Sequence, residues 1–295
     1  MADANLPPFL DLKSALRAFV TATSTQSQGH IKPLHRHLAI RLVIEGGFSP
    51  DEVAPRPPLA VKAVGRRKLL VFVPNRNGNS EQTVLGGLKS KAIDVVVAKP
   101  GVGPVIAISV KGTTGAFRNL TNRMEEAIGD SANIHIMYPG LVYSFLHILR
   151  GNDVRRAEFK PSDVALKSDG TIAPSIRRYH DVLLGLAGRL FVRDDVSRYE
   201  SVGLGLVNAH NNPGELTESF PEADSPLHLK NFFDGLLRIY DRRFPYVASS
   251  MPLLRRAVWD PDSPALVAIR SGAGVGAVLG YEPRLEGEDE DEDFE

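Results

Sequence analysis

Three polar residues stand inside two otherwise apolar segments, at positions where their side chains could do chemistry. Asp94 interrupts a β-branched run from residue 92 to 98, and Ser109 and Lys111 end the apolar run that begins at Val105. A carboxylate inside a buried strand is costly unless a cation or a metal ion compensates it. The pattern therefore indicates an acid that is paired or that holds a metal ion.

The segment between the two runs predicts how these residues are brought together. Residues 99 to 104 read Lys-Pro-Gly-Val-Gly-Pro, which is typical of a turn and predicts an antiparallel hairpin. A symmetric turn places Asp94 opposite Ser109, and the period of two places Lys111 on the same face as Ser109. We expect the three side chains to converge on one patch of the sheet.

A second acid is predicted on the helix that follows the hairpin. Apolar residues at spacings of three and four predict a helix from Phe117 to near Gly129, with Glu125 at the edge of its buried stripe and Glu126 one position around. Two acids and a lysine suit phosphodiester hydrolysis, because carboxylates can hold one or two Mg²⁺ ions. Lys111 would orient or activate the attacking water. Asp94 and Glu125 are the expected metal ligands, and Glu126 is the alternative to Glu125.

The motif Asp94 with Ser109-Val-Lys111 resembles the active site of the PD-(D/E)XK nuclease superfamily. Its Ser-X-Lys form is similar to that of type II restriction endonucleases that read CCGG, in which a glutamate of the next helix supplies the missing carboxylate. In that group thirteen residues separate lysine and glutamate, as they do between Lys111 and Glu125. The resemblance implies that Ser109 is an active-site spacer and that Glu45, near the end of an N-terminal helix, is an auxiliary acid.

The resemblance covers residues 32 to 140 and implies a fold and an activity. The implied fold is a restriction-endonuclease-like α/β core, a mixed central sheet flanked by helices, with a C-terminal elaboration. The implied activity is Mg²⁺-dependent, sequence-specific cleavage of double-stranded DNA, with a DNA methyltransferase of the same site as a possible partner. Since both strands must be cut, we expect a homodimer. The base-reading cluster of the CCGG group is absent after Lys111, so the recognition sequence is left open.

Other interpretations compete with this one. The same core could belong to a repair, structure-specific or modification-dependent nuclease, or to a DNA-binding module without turnover. His35 and His37 could suggest a metal pair, but positions i and i+2 of a helix face different directions. We therefore expect structural or phosphate-contacting roles for these two histidines, and no zinc site.

Cationic and amide side chains suited to DNA contacts surround the predicted site. Arginine can hold phosphate or a guanine edge, and asparagine an adenine edge. The candidates are Arg76 in the polar loop before the hairpin, and Arg118, Asn119, Asn122 and Arg123 on the polar side of the helix that carries Glu125.

The remaining periodicities predict an α/β protein with a mixed sheet. We expect one elaborated domain over residues 1–285, with a catalytic core over 32–150 and a recognition or dimerisation region over 151–285. The predicted helices are 10–21, 31–45, 117–129, 140–149, 174–190 and 227–243, and the predicted strands are 68–73, 92–98, 105–110, 133–138 and 201–207.

The composition and the charge distribution exclude some classes of protein and favour others. The chain has 295 residues and no cysteine, which excludes disulfide scaffolds, Cys-ligated zinc and thiol nucleophiles. Its formal charge is zero, but residues 286–295 hold eight acids and no base, leaving 35 basic and 27 acidic residues elsewhere. The basic body favours a polyanionic partner, and the tail is expected to be disordered. No secretory signal or membrane span is evident, so we expect a cytoplasmic protein.

Overall fold

The computed structural model describes residues 11–23, 29–65, 67–73, 81–156, 159–244, 252–271 and 281–285. The strands of these residues are β1 (Val53–Ala54), β2 (Leu59–Val64), β3 (Arg67–Phe72), β4 (Gln82–Val84), β5 (Lys91–Ile93), β6 (Val95–Lys99), β7 (Gly103–Thr113), β8 (Val142–Gly151) and β9 (Ser201–Asn208). The helices are α1 (Leu12–Thr21), α2 (Lys32–Ile44), α3 (Leu120–Met137), α4 (Pro174–Leu186), α5 (Lys230–Arg243) and α6 (Pro264–Ser271).

A mixed sheet of five strands, in the order β1-β6-β7-β8-β9, forms the centre of the fold. β1, β6 and β7 are antiparallel neighbours, whereas β8 and β9 run parallel to β7. Helices α1, α2 and α5 pack on one face of the sheet, and α3 and α4 on the other. Both faces are therefore covered, as parallel strands require. The predicted α/β architecture with a mixed, helix-flanked sheet is confirmed.

Local signals explain several helix boundaries. The side chain of Asp11 caps α1 by accepting the backbone N–H of Ser14 at 2.6 Å. Proline stands in the first turn of both α2 and α4, where its missing N–H costs no intrahelical bond. The predicted helices at 10–21, 31–45, 174–190 and 227–243 and the strand at 201–207 match α1, α2, α4, α5 and β9 within a few residues.

The segment from 117 to 149 differs from its prediction. A short 3₁₀ turn, Phe117–Asn119, leads into α3, which continues to Met137, so the predicted strand 133–138 is wrong. The alternation of Ile134 and Ile136 with polar residues resembles that of a strand. Both residues lie on α3, however, and they do not share a buried face, since Ile134 is buried and Ile136 is exposed. The predicted helix 140–149 is strand β8, which is buried on both faces. A continuous apolar run does not distinguish a central strand from a buried helix.

Residues beyond 150 are built into the same sheet as the expected catalytic core. β9 pairs in parallel with β8 through eight residues, and α5 packs against both strands. The region that was expected to be an elaboration therefore completes the central sheet. Among the described residues, no helix combines the length and the apolar character needed to cross a membrane.

Candidate active site

The hairpin of β6 and β7 has the predicted register. Val95 pairs with Ile108, so Asp94, one residue before β6, lies opposite Ser109. One carboxylate oxygen of Asp94, Oδ2, accepts the backbone N–H of Val110 at 2.7 Å and lies 3.5 Å from the hydroxyl of Ser109. The antiparallel hairpin and the juxtaposition of the aspartate and the serine are confirmed.

One edge of α3 supplies acids to a lysine of this hairpin and to a lysine of the neighbouring strand β5. Arg123, Glu126 and Asp130 recur at spacings of three and four, so they form a single row along the helix. The Nζ atom of Lys111 donates to Oε1 of Glu126 at 3.0 Å, and Nζ of Lys91 donates to Asp130 at 2.5 Å. The helix therefore brings one carboxylate to the lysine of the Ser-X-Lys motif.

The glutamate beside Lys111 is Glu126, whereas the interval in the sequence favoured Glu125. Both side chains are exposed, but successive residues of an α-helix are about 100° apart around its axis. The buried stripe of α3, which includes Met124 and Ala127, runs between them, so Glu125 lies on the edge away from the row of Glu126. The interval of thirteen residues after Lys111 leads to the correct turn of α3. It leads to Glu125, however, and not to Glu126, which contacts the lysine. The expectation that Glu125 ligates a metal ion with Asp94 gains no support from this geometry, in which Glu126 is the glutamate that contacts Lys111.

A histidine and a second acid approach Asp94 from the opposite side. His35 lies in the first turns of α2, and its Nε2 atom is 3.7 Å from Oδ1 of Asp94. Glu81 stands directly before β4, and one ligand atom each from His35, Glu81 and Asp94 lie within 4.8 Å of one another. The side chain of His35 is 4% exposed, yet Nε2 has no hydrogen-bond partner among the described residues. A buried nitrogen without a partner is costly, so its presence requires an explanation.

Burial perturbs the protonation of both groups. Burial raises the pKa of Asp94, although the amide of Val110 and the charges of Lys111 and Lys91 oppose this. Burial also lowers the pKa of His35 to about 4, so the imidazole is neutral at neutral pH and has a lone pair on one ring nitrogen. A neutral imidazole beside two carboxyl groups fits a divalent cation in chemistry and in spacing. The cation ligands best supported here are Asp94, Glu81 and His35.

A cavity of about 760 Å³ opens over these residues. Its lining combines acids, including Glu81 and Asp94, with His30 and three cationic side chains, those of Lys91, Lys111 and Arg123. The Nε atom of Arg123 is buried without a hydrogen-bond partner in the described part of the chain. The remaining lining residues come from the start of α2, from β5, from β7 and the loop after it, and from a short 3₁₀ turn at 161–163: Ile31, Ala92, Ser109, Val110, Gly112, Thr113, Thr114, Gly115, Ala116 and Asp163.

Glu45 does not join this group. It ends α2, where its carboxylate binds the guanidinium of Arg41 at 2.7 to 3.0 Å and accepts the backbone N–H of Glu282 at 3.1 Å. Glu45 follows His35 by ten positions, which corresponds to a rise of about 15 Å along the helix. The expectation of an acid from α2 at the site therefore fails, because the start of this helix, and not its end, reaches Asp94. His35, near the start of the same helix, is the α2 side chain that approaches Asp94.

The predicted DNA-contacting residues fall into two groups. Arg123 lines the cavity, whereas Arg118, Asn119 and Asn122 are exposed at the start of α3. Arg76 lies outside the described residues, as does the acidic tail. The structure therefore places one predicted cation inside the site and three polar side chains on the adjoining surface.

Sequence reasoning missed the roles of His35 and Glu81. It correctly predicted that His35 and His37 face different directions, since His37 contacts the hydroxyl of Tyr281 at 3.1 Å. That argument set aside a histidine pair without asking whether His35 alone could meet an acid elsewhere. Glu81 follows a polar loop and carries no local signal. The row of Arg123, Glu126 and Asp130, by contrast, is visible in the sequence as an i, i+3, i+7 pattern.

Comparison with the models of known protein families, with curated proteins and with solved structures finds no match to this chain.

Proposed function

We propose that this chain is a metal-dependent endonuclease that hydrolyses phosphodiester bonds of double-stranded DNA at a specific sequence, on a restriction-endonuclease-like core. The observation that carries the proposal is that Asp94 and Lys111 line the same cavity of about 760 Å³. Glu126 binds Lys111 at 3.0 Å, and the buried Nε2 atom of His35 lies 3.7 Å from Asp94. The order hairpin, helix, strand in β6, β7, α3 and β8 supports the proposed core.

The acids and the imidazole hold the cation in this proposal. Asp94, Glu81 and His35 are the ligands, and the amide of Val110 fixes the carboxylate of Asp94 in place. When bound, a divalent cation such as Mg²⁺ would polarise the phosphate and favour deprotonation of the attacking water. Because Asp94 is buried and its charge is incompletely balanced, a cation at this position would be strongly stabilised.

The cationic side of the cavity acts on the phosphate. Lys111 lines the cavity, and its ammonium would orient the attacking water and neutralise charge on the phosphoryl oxygens. Glu126 keeps this flexible side chain in position through its 3.0 Å hydrogen bond. Arg123 lines the same cavity, and its buried Nε has no hydrogen-bond partner among the described residues, so its guanidinium group suits a non-bridging phosphate oxygen.

DNA recognition is assigned to the surface next to the cavity. Arg118, Asn119 and Asn122 project from the start of α3, beside the site, and their donors suit phosphates or base edges. A homodimer would present two such sites to the two strands. A methyltransferase that modifies the same site would protect the host DNA.

Incubation of the purified protein with plasmid DNA tests the proposal. With Mg²⁺ or Mn²⁺ we expect discrete fragments, whose sequenced ends share one short recurring sequence. Unmodified, methylated and branched duplexes are compared side by side, because a preference for either of the last two would replace restriction by a modification-dependent or structure-specific activity. Absence of cleavage on all of these substrates with both ions would overturn the proposal.

Two variants connect the cleavage to the site. Asp94→Asn and Lys111→Ala should remove it, and Lys89→Ala, which removes an exposed lysine on the loop before β5, is the matched control. Cleavage that persists in Asp94→Asn would assign the activity to other residues or to a contaminating nuclease.

A further inference from the structure

Two features of the cation site bear on the identity of the ion. The site contains an imidazole nitrogen as well as carboxylate oxygens, and this buried nitrogen has no hydrogen-bond partner in the part of the chain that the structure describes. Mg²⁺ binds oxygen ligands almost exclusively and usually retains several waters. Imidazole suits ions of the first transition series, and carboxylates suit Mn²⁺ as well as Mg²⁺.

We propose that Nε2 of His35 is a metal ligand, and that the site formed by His35, Glu81 and Asp94 binds Mn²⁺ in preference to Mg²⁺. This inference rests on the proposed function, since it names the ion that the proposed nuclease uses. It replaces the expectation, based on Asp94 and a helix glutamate, that Mg²⁺ is the preferred ion.

The position of His35 leaves few other roles for the nitrogen. Its ring is held by the first turns of α2, and Nε2 is 3.7 Å from Oδ1 of Asp94, too far for a hydrogen bond. Three ligand atoms within 4.8 Å of one another need only small side-chain rotations to surround one ion, since ligands about 2.1 Å from Mg²⁺ or a similar ion lie about 3 to 4.2 Å apart. An ion at this point would satisfy the nitrogen and the two carboxylates at once.

The charges near the site are consistent with a bound cation. Lys91 and Lys111, the nearest lysines, are each engaged by an acid of α3, Asp130 and Glu126 respectively. Among the described residues, no lysine hydrogen-bonds to Asp94, although both lysines influence it electrostatically. Its Oδ1 atom faces His35 rather than an ammonium group.

Metal binding is measured without DNA, so that the result does not depend on nuclease activity. Free Mn²⁺ is followed by electron paramagnetic resonance during titration of the full chain, and Mg²⁺ affinity is obtained by competition. For the wild type we expect Mn²⁺ to bind at least about tenfold more tightly than Mg²⁺.

Variants separate the contribution of each ligand. His35→Gln should lower Mn²⁺ affinity about tenfold or more and leave Mg²⁺ affinity within about threefold, because only the nitrogen is lost. Glu81→Gln should weaken both ions. His37→Gln is the matched control, a buried histidine two residues along the same helix, and should keep the wild-type ratio of affinities. Circular dichroism and thermal unfolding establish that each variant is folded.

The outcomes distinguish this inference from the proposed function. Equal Mn²⁺ preference in folded His35→Gln and wild type, or no Mn²⁺ binding by the wild type, would overturn the inference even if the protein cuts DNA with Mg²⁺. Conversely, a histidine-dependent Mn²⁺ preference without DNA cleavage would support the metal site and contradict the nuclease.

Discussion

Two carboxylates of this protein, the partly buried Asp94 and the fully buried Glu200, have opposite surroundings. Glu200 is fully buried directly before β9, and one of its oxygens, Oε1, accepts from the guanidinium groups of Arg189 and Arg243. The other oxygen accepts the amide of Tyr143 at 2.8 Å and contacts Nε2 of His135 at 3.2 Å. Every acceptor direction of Glu200 is therefore occupied by a fixed donor.

Asp94 has fewer donors and a different electrostatic balance. It accepts one backbone amide and a distant hydroxyl, and its second oxygen faces a neutral imidazole. Burial favours the neutral form of both acids, but at Glu200 the contacts with His135 and Arg243 outweigh it and lower the pKa. At Asp94 burial wins and the pKa is raised. The difference indicates that Glu200 is a structural acid that joins α3, β9 and α5, whereas Asp94 retains acceptor capacity for a ligand.

The largest expected effect concerns the activity of Asp94→Asn. We expect cleavage to fall by about 10³-fold or more, because the cation loses a charged ligand. Stability should be unchanged or higher, since the variant removes a buried charge that is incompletely compensated. Cleavage rates and urea unfolding at pH 7 are the measurements. A large loss of stability in this variant would make Asp94 a structural acid like Glu200.

Glu200→Gln should produce the opposite pattern. Two buried arginines would lose their common counter-ion, and breaking such a network costs about 3 to 5 kcal/mol. Urea unfolding at neutral pH measures this loss in the free energy of unfolding. The stability that Glu200 contributes is present above its unfolded pKa and is lost as the pH falls through its lower folded pKa. Near-wild-type stability in Glu200→Gln would contradict the structural role of Glu200 and therefore its contrast with Asp94.

His147 is a third buried titratable group that can be compared with Asp94 and Glu200. It is a base, and the charged groups that influence it are cations. Its Nε2 atom contacts the hydroxyl of Thr113 at 3.0 Å, and its charged neighbours are Arg123 and Lys111. Burial lowers the pKa of His147 to about 3. Below pH 6.5 the unfolded chain binds a proton that the folded chain does not, so stability falls as the pH decreases from about 6.5 toward 3.

The expected contribution of His147 to this loss is roughly 2 kcal/mol between pH 7 and pH 5. His147→Phe should reduce the change in unfolding free energy between the two pH values by this amount. Urea unfolding of wild type and variant at both pH values measures the difference. An identical pH dependence in the two proteins would show that His147 titrates alike in the folded and unfolded states.

The smallest expected effect distinguishes the two adjacent glutamates of α3. Glu126→Gln should slow cleavage about tenfold, because Lys111 loses its charged partner and its fixed position, a loss of about 1.4 kcal/mol. Glu125→Gln is the matched control on the other edge of the helix and should cleave at close to the wild-type rate. If Glu125→Gln instead cleaves more slowly than Glu126→Gln, the glutamate that acts at the site is Glu125, as the sequence interval predicts.

The amino-acid sequence alone determined the local parts of this arrangement. The period of two and the proline- and glycine-rich turn predicted the hairpin and its register, because both depend on residues that are close in sequence. The periodicity of the apolar residues predicted α1, α2, α4 and α5 for the same reason. Asp94, the Ser109-X-Lys111 motif and the interval to a glutamate of the next helix together suggested a nuclease site, through their resemblance to a known family.

Only the tertiary structure decided which side chains complete the site. Strand β8 is buried on both faces, so its apolar run had no period that could distinguish it from a helix. Glu125 and Glu126 differ only by the rotation of α3 against the sheet, and Glu45 and His35 only by which end of α2 reaches Asp94. His35, Glu81 and Asp94 come from separate elements, and packing of these elements on the sheet brings their ligand atoms together.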